Sequence, residues 1–430
     1  MTRSLLVDGK NLSLRNGTGV ANYARSLCGN LQAMGHRVEL LYGQSADLAR
    51  GDMPPEVQFF DDEVPRRRPP FLVRYADRMA RAFFAATPEP VHFARSALSL
   101  HHQQRLPLAD AYWNARDVFD LPGAAVRAGR FQHIRNIMNV DIAHWTYPVP
   151  VHLEGAINIY TLHDLVPLKL PDTTLDNKRV YFEMVRRIVN TADLIVTVSR
   201  QSKQDIHEIF NVPEDRVVNT YQDVDIPQQF FDETEDDVAD AIEGIYGLRP
   251  GRFMLFVGAV EPKKNVGRLI EAHLASGLDM PLVIAGKDGW LVENELQLFR
   301  QHIERCQGQP RVIRLPYVPR RQLINLIRGA CAVTFPSIYE GFGLPIVEAM
   351  LCGTPVLTSN FGAMREIAGE AALLINPYDS ASIRDGLRRL AGDAALRDEL
   401  KAAGRERATL FSSAAYRTRL ADAYAMTRPR

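Results

Sequence analysis

Two doubly wound α/β domains, each Rossmann-like and facing the other across a cleft, are what this sequence predicts. Three observations carry that prediction. The chain has 430 residues, too many for one ordinary hydrophobic core and suited to two domains of about 200 each. Short β-branched runs alternate with longer helix-like segments in both halves, the pattern of parallel strands covered by helices. An acidic, polar stretch at residues 232–237, followed by Arg249-Pro250-Gly251, separates the two halves.

In the first half the predicted strands are residues 5–8, 37–41, 142–145, 157–162 and 194–198. In the second they are residues 253–257, 282–285, 312–315, 332–335 and 355–358. The domain boundary falls near residues 226–250, which leaves a first domain of residues 1–226, a second of residues 245–410 and a final segment of residues 411–430. No internal sequence repeat relates the halves.

Composition narrows the class of partner. Lys plus Arg and Asp plus Glu are equal at 51 each, so no global field selects a nucleic acid. Cys28, Cys306, Cys331 and Cys352 are far apart and form no CxxC pair, which argues against zinc and suits a reducing compartment. The apolar run Ser4-Leu5-Leu6-Val7 ends at Asp8-Gly9 before a signal-peptide core forms, and no later run reaches the 18 or so residues of a membrane span. The expected location is cytoplasmic, with a peripheral place on the inner face of the plasma membrane left open. That opening rests on residues 65–85, where Arg66, Arg67, Arg68, Arg74, Arg78 and Arg81 interleave with Phe71, Leu72, Tyr75, Phe83 and Phe84. The segment reads as an insertion ending in a basic amphipathic helix, for anionic lipid or a phosphate-bearing acceptor, or else as a plain solvated Arg face.

Four segments place chemistry at the carboxyl ends of predicted strands, where open α/β sheets bind ligands. In the first, Phe335 to Met350, a Gly-rich turn carries Glu340 and Glu348 at its two ends, with Gly341, Phe342, Gly343 and Leu344 between them and Pro345 placed to start a helix. Carboxylates accept paired hydrogen bonds from vicinal hydroxyls, and glycines let a backbone approach a sugar closely. Read structurally, Glu348 is only a favourable charge at a helix N-terminus. In the second, Glu261-Pro262-Lys263-Lys264-Asn265 follows a strand, so two ammonium groups stand where a leaving diphosphate needs positive charge.

The third segment, Gly17-Thr18-Gly19-Val20-Ala21-Asn22-Tyr23, opens a helix and offers amides to an anion. It is not a dinucleotide fingerprint, because Asn22 stands where the third glycine would be. In the fourth, a strand ends in His163-Asp164, and a histidine in that position can bind a hydroxyl.

Together these segments resemble glycosyltransferase family 4 of the GT-B fold, and the likeness covers nearly the whole chain. The seven residues between Glu340 and Glu348 match the family's EX7E motif, and residues 17–23, 161–165 and 261–265 resemble its glycine loop, His-Asp strand end and phosphate segment. The resemblance implies a catalytic set of Glu340, His163 and Lys264. Glu340 would hold the donor hexose, Glu348 the ribose, Lys263 and Lys264 the diphosphate, and His163 a sugar hydroxyl near the reacting carbon. Gly17, Gly19, Gly341, Phe342, Gly343 and Leu344 would line the donor site, with Tyr317 in the segment against the nucleobase. Some members carry Arg where this chain has Ala259, which leaves the division of labour between the two lysines open.

The resemblance also implies retention of anomeric configuration, no metal and no cofactor beyond the nucleotide-sugar co-substrate. GDP-mannose is the leading donor, with other GDP-, UDP- and dTDP-hexoses behind it, and the acceptor is a glycan or lipid-linked glycan bound by the first domain. Residues 92–135, an irregular stretch with Trp113, Arg116 and Arg130, are a candidate for shaping the acceptor site. The final helix would cross back onto the first domain. A sugar-nucleotide epimerase shares this architecture, and a non-catalytic sugar-binding scaffold would keep the sheets. The EX7E segment favours transfer over the first, and four intact charged segments count against the second. A nicotinamide-dependent oxidoreductase is weaker still, for want of its fingerprint after the first strand.

Overall fold

The computed structural model describes residues 2–13, 19–44, 70–92, 106–305 and 310–427. Gly17, Cys306, residues 65–69 and residues 93–105 lie outside the described residues, as do the side chains of Phe71 and Arg74.

The first sheet takes eight of the ten strands in the first half: β1 (Ser4–Asp8), β2 (Arg37–Tyr42), β3 (Glu89–Val91), β4 (Ala111–Asn114), β6 (Ile142–Trp145), β8 (Ile157–Leu162), β9 (Leu194–Thr197) and β10 (Val217–Asn219). The remaining two, β5 (Gln132–Ile134) and β7 (Val151–Leu153), pair with each other. The order is β10-β9-β8-β6-β1-β2-β4-β3, parallel except where the edge strand β3 runs against β4. The second sheet contains β11 (Met254–Val257), β12 (Leu282–Ala285), β13 (Val312–Leu315), β14 (Ala332–Phe335), β15 (Val356–Ser359) and β16 (Leu373–Ile375), in the order β13-β12-β11-β14-β15-β16 and wholly parallel. Strand order reverses beside β1 in one sheet and beside β11 in the other, and a crevice opens at each reversal.

The central strands are buried on both faces, which is why they read as continuous apolar runs. Six strands escaped the sequence reading: β3, β4, β5, β7, β10 and β16. Each has three or four residues and most are partly exposed, so neither run length nor alternation marks them. The stretch expected to be irregular therefore contributes β4 to the main sheet, and Trp113 in it donates to Glu39 Oε2 at 2.7 Å.

The acidic stretch near residue 234 is the start of a helix, Glu235–Tyr246, with a Thr234–Asp237 capping box. The helix expected in the basic insertion is present as Phe71–Arg81, and Arg78 and Arg81, its arginines with described side chains, are engaged internally. Arg78 pairs with Asp117 and Asp120 at 3.3 Å each, and Arg81 with Asp77 at 2.9 Å. Among its described residues, Leu72, Val73, Phe83 and Phe84 are apolar and all more than half exposed.

The last helix, Ser413–Ala425, packs on the first domain through a buried polar chain. Tyr424 Oη lies 2.6 Å from His144 Nδ1, His144 Nε2 lies 2.8 Å from Thr161 Oγ1, and Thr161 Oγ1 lies 2.9 Å from Tyr23 Oη. Tyr416 Oη closes the chain at 3.4 Å from Tyr23 Oη. Burial pushes the His144 imidazole down to about 3 and the His273 imidazole down to about 4. In the unfolded chain both return to about 6.5, so between pH 6.5 and 4 the unfolded state binds protons that the folded state refuses. Stability is therefore complete above pH 6.5 and falls on acidification, by about 1.4 kcal/mol per pH unit for each such histidine. Urea midpoints measured from pH 7 to pH 5 should show this decline, and His273→Leu should make it shallower while leaving the share due to His144.

Candidate active site between the two domains

Beyond β14 the chain enters a turn that leads into the helix Leu344–Leu351. Gly343, just before that helix, has φ 97°, a left-handed conformation that glycine holds without strain, and Pro345 sits in the first turn where its missing N–H is not needed. Glu340 lies on the turn, only 8% exposed. The lysine loop comes from the neighbouring strand β11, as a short turn Pro262–Lys264 closed by Asn265 in a left-handed conformation. Asn265 Nδ2 donates to the carbonyls of Pro336 and Pro377, and the Ile338 amide donates to the Lys263 carbonyl at 2.7 Å. These bonds fasten the two loops together.

The result is a buried cluster of three charges. Lys264 Nζ is 2.5 Å from Glu340 Oε1, an ion pair whose alignment falls short of a hydrogen bond, and Lys263 Nζ is 3.5 Å from Oε2. Burial alone would raise the Glu340 carboxyl, but the two ammonium groups outweigh it and hold the carboxyl below its ordinary range. Burial likewise works against the charge on Lys263, and Glu340, Asp164 and Glu261 overcome it, so Lys263 stays protonated. Lys264 also lies 4.7 Å from the Phe335 ring centroid.

Glu348 stands apart from this cluster. It is the fifth residue of its helix rather than part of the first turn, and its partner is Arg320 Nη1 at 2.8 Å. A favourable charge at the helix start is therefore not its structural role. Phe342 is buried and meets Phe411 edge-on at 5.3 Å, while Tyr317, just past the end of β13, is 83% exposed.

The first domain supplies the opposite wall. His163 follows β8, with Nε2 2.8 Å from the Thr146 carbonyl and its ring edge-on to Tyr23 at 4.8 Å. Burial holds its imidazole down, against the opposing influence of that carbonyl and of Asp164, so the neutral ring donates from Nε2 and leaves Nδ1 as an acceptor. Gly341 shows how tightly the walls meet: a Cβ there would lie 2.3 Å from the His163 carbonyl oxygen. The missing side chain thus serves contact between domains, where the sequence reading assigned it to close approach of a sugar. Gly19, the first residue of the helix Gly19–Ala33, faces Leu344, with a Cβ position 3.6 Å from Leu344 Cδ1. Helix N-termini from the two domains converge there.

Three residues that sequence reasoning missed hold the walls in register. Glu366 of the second domain accepts the amides of Arg200 and Gln201 at 2.8 and 3.0 Å, capping a helix of the first. Tyr339 Oη donates to buried Asp205 at 2.5 Å. Nothing in their local sequence marks them, because each contact between the walls joins residues more than 130 positions apart.

Residues 17–226 match the family model for Glycosyltransferase Family 4, and residues 243–407 match the one for glycosyl transferases group 1. O-antigen chain mannosyltransferase B of Escherichia coli is 31% identical over 281 residues, which span 64% of this chain and 71% of that protein. The chain belongs to glycosyltransferase family 4. O-antigen chain mannosyltransferase RfbU of Salmonella typhimurium is 26% identical over 54% of this chain and 60% of its own length. The serotype-specific mannosyltransferase WbdA of Escherichia coli is 29% identical, with this family 4 chain spanning about a third of it. Among solved structures, sucrose-phosphate synthase from Thermosynechococcus elongatus aligns over 98% of both chains with a TM-score of 0.65 and 18% identity. Anabaena HepE in complex with UDP and glucose aligns over 98% of this chain and 99% of its own, with a TM-score of 0.65 and 15% identity. These two likenesses place the glycosyltransferase in the GT-B fold. Among the described residues, no helix is long and apolar enough to cross a membrane.

Proposed function

We propose that this family 4 glycosyltransferase moves mannose from GDP-mannose to a glycan acceptor, with retention of anomeric configuration and without a metal, in synthesis of an O-antigen-type polysaccharide. The observation that carries the reading is the buried cluster of Lys263, Glu340 and Lys264 beside the reversal point of the second sheet. Two desolvated ammonium groups there offer strong compensation to a diphosphate. A diphosphate drawn in by the lysines would release the Glu340 carboxylate to bind hexose hydroxyls, and Glu348 with Arg320 would stand by the ribose. The mannosyl choice rests on the named activities of the O-antigen relatives.

In the proposed step the bond from the anomeric carbon to the diphosphate oxygen breaks, and its electron pair leaves on the phosphate. The acceptor oxygen bonds to that carbon from the same face and passes its proton to a phosphate oxygen. No protein base is required, so the chain contributes positioning and charge: Lys263 and Lys264 stabilise the departing phosphate, and neutral His163 accepts a sugar hydroxyl at Nδ1. A lipid-linked acceptor on the inner membrane face fits the exposed apolar Leu72, Val73, Phe83 and Phe84, which now carry that part of the reading in place of the paired arginines.

The test is a thermal-shift panel with EDTA present, using GDP, UDP, dTDP, ADP and NAD and the sugar conjugates of the first four. GDP and GDP-mannose should raise the melting midpoint of the wild type, as ligands of the native state do, and the rise should shrink in Glu348→Ala. That variant leaves only the half-exposed Arg320 without its partner, so it should fold. Stabilisation by uridine nucleotides alone would sink the GDP-mannose reading, and a response only to NAD would sink glycosyl transfer.

A further inference from the structure

The ends of β1, β6 and β8 lie side by side in the first sheet, so the residues after them share one edge. Sequence reasoning used only His163 and Asp164, after β8. After β1 comes Lys10, and after β6 comes Tyr147, both partly exposed, with Lys10 Nζ 5.3 Å from the centre of the Tyr147 ring. Beneath them Asp8 is fully buried and accepts the Thr146 amide through Oδ2. Among the described residues, Asp8 Oδ1, Asn11 Nδ2 and Thr146 Oγ1 are buried polar atoms with no hydrogen bond of good geometry, the Thr146 hydroxyl and the Lys10 amide acting on the Asp8 carboxylate only loosely. Buried polar groups are ordinarily satisfied, so three poorly satisfied atoms at the ends of two adjacent strands and just beyond them call for an explanation.

We propose that Lys10 and Tyr147, backed by Asp8, form the subsite that holds the acceptor sugar as a neutral pyranoside. The inference rests on the reading of this chain as a transferase to a sugar acceptor and gives that acceptor a place. The strand order reverses between β2, β1 and β6, so this is the crevice of the first sheet, as the lysine cluster marks that of the second. The β8 end beside it is already in contact with the donor turn through Gly341 and His163. Tyr147 is within electrostatic reach of Lys263 of the second domain.

The chemistry selects a neutral sugar. Burial lowers the Lys10 ammonium from its ordinary range, and Asp120 and Asp8 act to retain its charge. An ammonium already balanced by carboxylates suits hydroxyl oxygens better than a second anion, and the phenol beside it can donate to or accept from a hydroxyl. Asp8 acts through Lys10 and Thr146, so it is a positioning residue.

The experiment is saturation-transfer NMR with the methyl α-glycosides of mannose, glucose, galactose and rhamnose as probes, with GDP and separately UDP present. At least one glycoside should saturate in the wild type and lose fivefold or more of its signal in both Lys10→Met and Tyr147→Phe. Nucleotide stabilisation should persist in both variants, which also shows that they fold. Unchanged signals in the variants, or no saturation of any probe in the wild type, would overturn the subsite. Loss of nucleotide binding along with the glycoside signal would overturn it too, by assigning these residues to the donor. Turnover of GDP-mannose on the bound glycoside is scored separately: its absence counts against the mannosyl donor and leaves a subsite established by binding intact.

Discussion

Glu340→Gln should reduce transfer roughly 10²- to 10³-fold while nucleoside-diphosphate binding stays the same or tightens. The two effects separate because Glu340 has two jobs that a donor would split. In the ligand-free chain its carboxylate neutralises Lys263 and Lys264, at 3.5 and 2.5 Å. Gln keeps the shape and loses the charge, so the lysines lose their nearest counter-charge, with Asp164 and Glu261 still acting on Lys263, and an arriving diphosphate no longer competes with Glu340 for them. The hexose, however, loses the anionic acceptor that would fix its hydroxyls. Breaking a buried ion pair from one side costs about 3 to 5 kcal/mol, so the free variant should melt lower and recover more than the wild type when GDP is added. For the same reason Glu340→Ala, which also opens a gap, is the poorer test.

The pH dependence follows from the same cluster. The Glu340 carboxyl is held below its ordinary range, so its contribution to stability is present above the unfolded carboxylate range and is lost as pH falls through the folded value. Glu340→Gln should therefore lose less stability than the wild type on acidification below about pH 4.5. Calorimetric titration with GDP, paired with turnover of GDP-mannose, checks the first prediction. A folded Gln variant with wild-type turnover would reduce the cluster to a structural salt bridge.

The central strands were legible in the sequence because burial on both faces leaves a continuous apolar run, as in residues 157–162 and 254–257. The short outer strands β3, β4, β10 and β16 were not, because residues such as Ala111 to Asn114 are mostly half-buried and carry no distinctive run. Charged loop residues after strands, such as Lys263, Lys264 and Glu340, were legible as candidates, since topology alone brings strand ends to one edge. Their pairing with each other was not, because it depends on how β11 and β14 neighbour one another across 74 intervening residues. The basic insertion shows the opposite failure. Sequence periodicity displayed six arginines but could not show that Asp117 and Asp120, about forty positions away, bind Arg78. Lys10 and Tyr147 went unread for a related reason: each is an ordinary residue until β1 and β6 are known to be adjacent.

Gly341→Ala should lower turnover by about 10²-fold with little effect on nucleotide binding, because it acts on the fit between the domains. The added Cβ would lie 2.3 Å from the His163 carbonyl oxygen and 3.3 Å from Asp164 Cβ. The first contact is with backbone, which cannot swing aside as a flexible side-chain tip would, so either the turn or the facing strand end must move. Glu366 and Tyr339 hold the walls on either side, and a shift between them would carry Glu340 away from His163. Displacement of about 1 Å is enough to cost two orders of magnitude in a reaction that depends on alignment. The lysine loop is fastened within the second domain by Asn265 and Ile338, so a diphosphate should still find it. Gly343→Ala makes the contrast, since φ 97° at that position strains any side chain and should lower the melting midpoint directly. If Gly341→Ala instead loses nucleotide binding and turnover together, the turn is being distorted within its own domain and the fit between domains is not what the glycine protects.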